Sequence, residues 1–223
     1  MKSQTLTRLL AEQRPQTLGE EIANAISHGI GFLLAVASLP ILLNSCAERG
    51  GQAIDFVAVS LFAATMMLLY LVSTVYHALP VGRVKELFNR FDHAAIYLFI
   101  AGSYTPFALG ALRGGLGWGL FALVWALAAM GVLAKLLNKL SHPLLSTGLY
   151  IAMGWLAVFA AGPLLANLSQ RGITLLVAGG ICYTLGALVF LVDSRVRYAH
   201  FVWHLFVMGG SVCHFFAALW YAK

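Results

Sequence analysis

Seven histidines stand in a chain where little else carries charge, and the spacing of three of them suits a metal ion. His200 and His204 are four residues apart. On a helix that spacing puts two imidazoles on one face, one turn from each other, where both ring nitrogens reach one cation. Ser73 and His77 repeat the interval in Ser73-Thr74-Val75-Tyr76-His77, and Asp92 follows in Phe91-Asp92-His93. Three imidazoles suit Zn2+ in both softness and number. Three protein ligands with a fourth position open is the catalytic pattern, whereas structural zinc is usually closed by four ligands. Water at such an ion has its pKa lowered to roughly 7. A carboxylate such as Asp92 then orients that water or takes its proton, and the Ser73 hydroxyl donates to a developing oxyanion. Blander readings stand beside these: imidazoles resting at a membrane boundary, Asp92 as a helix N-cap, and Ser73 as a packing serine.

The remaining histidines divide by position. His28 follows Ser27, with Asn24 a turn earlier, which makes His28 and Asn24 candidates to support the ligands from outside the metal. His214 shares a stripe with His200, His204 and Ser211 but lies too deep along the helix to reach the same ion. It reads as a buried hydrogen-bonding residue or as part of a proton or substrate path. His93 points about 100° away from Asp92, and His142 falls in a loop.

These residues need helices that bring them to one depth. Of the 223 residues 61% are hydrophobic and only 10% charged, with mean hydropathy +0.85, so water cannot be the solvent of this chain. A bilayer needs about 20 apolar residues per helix. Runs of that length predict seven spans near 22–44, 54–79, 92–112, 117–137, 144–162, 173–192 and 199–221: an all-α, seven-transmembrane-helix bundle. Residues 1–21 form a polar tail that reads as retained, not as a cleaved signal, and residues 22–223 form one membrane domain. Lys and Arg in alternating loops number ten on the side of the N-terminus and four on the other. This predicts a cytoplasmic N-terminus and an external C-terminus. Helix two then ends, and helices three and seven begin, on the cytoplasmic side, which brings His77, Asp92, His200 and His204 together.

Other features are structural. Gly29 and Gly31, Gly102 and Ser103, Gly179 and Gly180, Gly186, and Gly209 to Ser211 suggest close helix packing. Pro106, after Ser103 and Thr105, predicts a kink whose freed carbonyl is taken by a hydroxyl. Ser141 and Pro143 look like the cap and first turn of helix five. Cys46, Cys182 and Cys213 are scattered and form no CxxC or disulfide pattern. The net charge of +6 is spread through short loops without a basic cluster, which argues against a nucleic-acid partner.

Together Ser73-x3-His77, Phe91-Asp92-His93-x3-Tyr97, Ala101-Gly102-Ser103-Tyr104-Thr105-Pro106-Phe107, His200-x2-Trp203-His204 and Gly209-Gly210-Ser211-Val212-Cys213-His214-Phe215 resemble the bacterial hemolysin III branch of the progestin and adipoQ receptor superfamily. Glu20-Glu21-Ile22-Ala23-Asn24-x2-Ser27-His28-Gly29 is similar to its opening motif, and the likeness runs from about residue 19 to the C-terminus. It implies seven helices in the bacterial inner (plasma) membrane, zinc on His77, His200 and His204, Asp92 holding the water on the metal, and Ser73 nearby. Alkaline ceramidases in the wider superfamily imply hydrolysis of a lipid amide or ester, with membrane lipids as partners and an acyl chain or fatty acid bound. Three functions follow: a zinc-dependent acyl-lipid hydrolase in membrane-lipid homeostasis, a non-enzymatic sensor or receptor-like regulator with structural zinc, and, from the family name alone, a cytolysin. A retinal-type pump needs a mid-membrane lysine, and helix seven has none.

Overall fold

The computed structural model describes residues 14–140 and 142–221, and all regular structure among them is helical. Among the described residues seven helices are long and apolar enough to cross a membrane: α1 Leu18–Glu48, α2 Ala53–Ala78, α3 Arg83–Ala111, α4 Gly115–Leu136, α5 Pro143–Asn167, α6 Gln170–Phe190 and α7 Ala199–Tyr221. Leucines and aromatics cover the outside, Leu33 and Phe159 among the most exposed, as a lipid solvent requires.

Local chemistry sets the ends. Thr17 and Glu20 close a reciprocal capping box at α1, so the helix begins inside the segment predicted as tail. Glycines with φ of +65° and +83°, Gly50 and Gly114, turn the chain between α1 and α2 and between α3 and α4, where a side chain would be strained. Pro143 occupies the first turn of α5, as predicted, and His142 is the residue before it. Ser141 lies outside the described residues.

Three expectations need correction. Asp92 does not open helix three: α3 starts nine residues earlier, at Arg83, and Asp92 sits within it, so an N-cap role is ruled out. Residues 83–91 carry Arg83, Lys85, Glu86, Asn89 and Arg90, and this polar turn of helix hides from any reading based on apolar run length. After Pro106 the helix passes into a π-helical stretch, Phe107–Ala111, where Leu112 N–H donates to Phe107 O at 2.9 Å. The hydroxyls of Ser103 and Thr105 donate to Ile100 O and Ala101 O, not to the carbonyl of Gly102 that the proline leaves without a donor. Helix five is likewise longer than predicted and passes through a 3-10 stretch, Trp155–Ala160.

α1 packs on α2 and α7, α2 on α3, α3 on α4, and α6 on α7, with α5 touching α3 and α6. α3 is the axis: its most apolar stretch is 72% buried against 11% for that of α6. Glycines set the close approaches. A Cβ on Gly31 would lie 3.0 Å from the Tyr70 ring, and one on Gly179 would lie 2.5 Å from His214. At the end where α1 and α7 begin, the near end, three chain segments converge. Arg14 grips Glu20 with two nitrogens, Arg14 N–H donates to Ser194 O, and Glu20 accepts from the N–H of Tyr198, a residue held at φ 59° just before α7.

Candidate metal centre

His77 sits in the last turn of α2, and His200 and His204 in the first turns of α7. All three are buried, at 3%, 7% and 0% exposure. Their ring centroids are 4.8 to 5.2 Å apart, and one ring nitrogen from each lies within 4.8 Å of the others. These three residues form a group that could hold a metal ion.

The hydrogen bonds test whether they would. His77 Nδ1 donates to Glu21 at 2.7 Å, and His200 Nδ1 donates to Asp193 at 2.7 Å. His204 Nδ1 lies 3.0 Å from Ser27 Oγ, whose own proton is committed to Asn24 O at 2.9 Å, so here too the ring donates. A neutral imidazole that donates from Nδ1 presents a lone pair on Nε2. All three Nε2 atoms are buried without a partner. Buried polar atoms are nearly always satisfied, so three bare lone pairs on imidazoles clustered this closely fit a cation. Lys85 completes the frame by bonding Glu21 at 3.0 Å along with the carbonyls of Tyr76 and Leu79.

The other predicted residues fall around this group. Asp92 is buried beside His200 and Ser73 but outside the set of ligand atoms. Ser73 Oγ neighbours that carboxyl without closing a hydrogen bond. His28 stacks flat on His204, centroids 3.4 Å apart, meets Tyr70 edge-on, and leaves both ring nitrogens bare. Asn24 donates to Gln16 and leaves Oδ1 without a partner. His214 is remote from the triad: it lies 3.4 Å from Leu176 O and packs against Tyr183 and Phe107.

Sequence reasoning missed Glu21 and Asp193 as orienting groups. Glu21 read as tail and Asp193 as loop. The available signal was that each acid lies at the near end by helix alternation, Asp193 seven residues before His200.

This fold and site define a multi-pass membrane protein of seven helices, with a buried three-histidine group at one end of the bundle. Residues 16–215 match the haemolysin-III-related family, and the chain belongs to it. It is 47% identical to hemolysin-3 of Bacillus cereus over 92% of this chain and 93% of that protein, and 45% identical to the hemolysin-3 homolog of Bacillus subtilis over 92% and 95%. A more distant likeness, 28% identity over 90% of this chain and 84% of the relative, is to the human monocyte to macrophage differentiation factor.

Proposed function

We propose that this protein is a zinc-dependent hydrolase of membrane acyl lipids, ceramide-like amides or esters, in the bacterial plasma membrane. Its N-terminus and near end face the cytoplasm, as the ten-to-four distribution of Lys and Arg supports. One observation carries the reading: three clustered imidazoles with orphaned Nε2 atoms lie beside a buried carboxyl that is outside the ligand group. His77, His200 and His204 would hold the zinc, which when bound would supply Lewis acidity and lower the pKa of water to roughly 7. Glu21, Asp193 and Ser27 hold the three rings in the tautomer that leaves Nε2 free. Asp92 takes a proton at its carboxylate from the water whose oxygen bonds to the carbonyl carbon, and returns it to the leaving amine or alcohol as the C–N or C–O bond of the lipid breaks. Ser73 donates a hydrogen bond to the oxygen on which charge develops. The apolar bundle around them excludes water and receives the acyl chain.

The test is turnover of ceramide-like and ester lipids by purified, zinc-loaded protein in lipid discs, beside His204→Ala and Asp92→Asn. Activity that both substitutions abolish supports the reading, and equal rates in all three proteins reject it. The triad also joins α2 to α7, which favours a second reading in which zinc staples the bundle of a non-enzymatic sensor. In that case zinc alters stability while no lipid is turned over.

A further inference from the structure

On the other side of α3 from the triad lies a second buried polar layer, which the hydrolase reading does not use. Three helices each contribute a pair four residues apart: His93 and Tyr97 from α3, Gly131 and Lys135 from α4, Ser146 and Tyr150 from α5. Lys135 Nζ donates to Ser146 Oγ at 3.1 Å, and Tyr150 donates to His93 O at 3.0 Å. Tyr97 and Tyr150 rings meet at 4.6 Å. Gly131 is what admits Tyr97, since a Cβ there would lie 2.5 Å from its ring.

The layer is one charge out of balance. Lys135 is 8% exposed, and no carboxylate lies within 4 Å of its ammonium among the described residues. Asp92, the neighbouring acid on α3, faces Ser73 and His200 instead. An ammonium has three donors and this one uses a single hydroxyl, while Tyr97 Oη and His93 Nδ1 are buried without partners. Lys135 stands in the last turn of α4, where the helix carbonyls would attract it, yet its bond crosses to α5. A buried cation in a membrane helix calls for an anion. Leu136, Leu137, Leu144, Leu145 and Leu149 beside the layer are exposed, as acyl chains require.

The geometry points to a phospholipid site: Lys135, positioned by Ser146 and joined by the unpartnered Tyr97 hydroxyl, binds the phosphate of an anionic lipid headgroup between α3, α4 and α5 at the near end. Basic recesses between transmembrane helices hold such headgroups elsewhere. The ligand differs from the hydrolase substrate, and the site does not depend on zinc.

Native mass spectrometry and thermal melts of the full chain, with dioleoyl-phosphatidylglycerol, dioleoyl-phosphatidylcholine or inorganic phosphate added, test this. Phosphatidylglycerol is expected to bind and stabilise the protein more than phosphatidylcholine. Lys135→Met should lower its affinity roughly tenfold or more, the loss of a charge-assisted contact, while Lys139→Met on the exposed turn leaves it unchanged. Should Lys135→Met fail to fold, Tyr97→Phe is expected to weaken phosphatidylglycerol binding by about threefold or more. Stabilisation by inorganic phosphate equal to that by phosphatidylglycerol would transfer the site to a free anion and overturn the lipid assignment. Equal protection by the two lipids, or undiminished phosphatidylglycerol binding by Lys135→Met or Tyr97→Phe, overturns the site.

Discussion

Glu21 and Asp193 touch no ligand atom of the proposed metal, yet each fixes the ring that does. Glu21→Gln or Asp193→Asn keeps the side chain's shape and removes the charge that holds Nδ1–H in place. Each change is expected to weaken zinc binding about 10- to 100-fold, as competition with a chromophoric chelator would report. Asp92→Asn should behave in the opposite way, because that carboxyl lies outside the ligand set. It is expected to retain zinc at wild-type affinity while turnover falls roughly 10²- to 10⁴-fold, the usual worth of a positioned general base. A variant that loses metal and activity together would move Asp92 into the ligand shell.

At the scale of the helix, the four-residue interval made most of the centre legible. His200 with His204 and Ser73 with His77 lie on common helical faces whatever else the bundle does, so their clustering followed from periodicity and alternation. The polar start of α3 was not legible, since Arg83 to Arg90 are polar enough to read as loop and become helical through contacts such as Lys85 with Glu21. Nor was the pairing of Glu21 with His77, 56 residues apart, because no local pattern encodes which helix lies beside which. Packing offers its own test. Gly31→Ala puts a methyl 3.0 Å from the Tyr70 ring and is expected to destabilise the bundle by about 1 to 3 kcal/mol. Gly148→Ala meets nothing within 4 Å and should be neutral or stabilising by about 0.5 to 1 kcal/mol. Detergent-solubilised thermal melts of the two variants distinguish them.

Across the whole molecule, the proposed ion joins the end of α2 to the start of α7, while Ser27 and Glu21 bring α1 into the same frame. Metal binding to the folded state alone stabilises it, by about 4 kcal/mol at a thousandfold excess over the dissociation constant. Chelation should therefore lower the melting temperature of the wild-type protein and leave that of His77→Ala unmoved. Arg113, clamped to Asp55 at 2.6 and 2.8 Å at the far end, holds α2 to α3 independently of the ion, so the apoprotein should stay helical. The most direct test of the metal centre is zinc K-edge X-ray absorption on the purified protein together with metal stoichiometry. One zinc per chain is expected, with a first shell of nitrogen and oxygen only at about 2.0 to 2.2 Å, the multiple-scattering signature of three imidazoles, and loss of the ion in His204→Ala. Protein purified without stoichiometric zinc that cannot be loaded, or zinc retained unchanged in His204→Ala, would contradict the account.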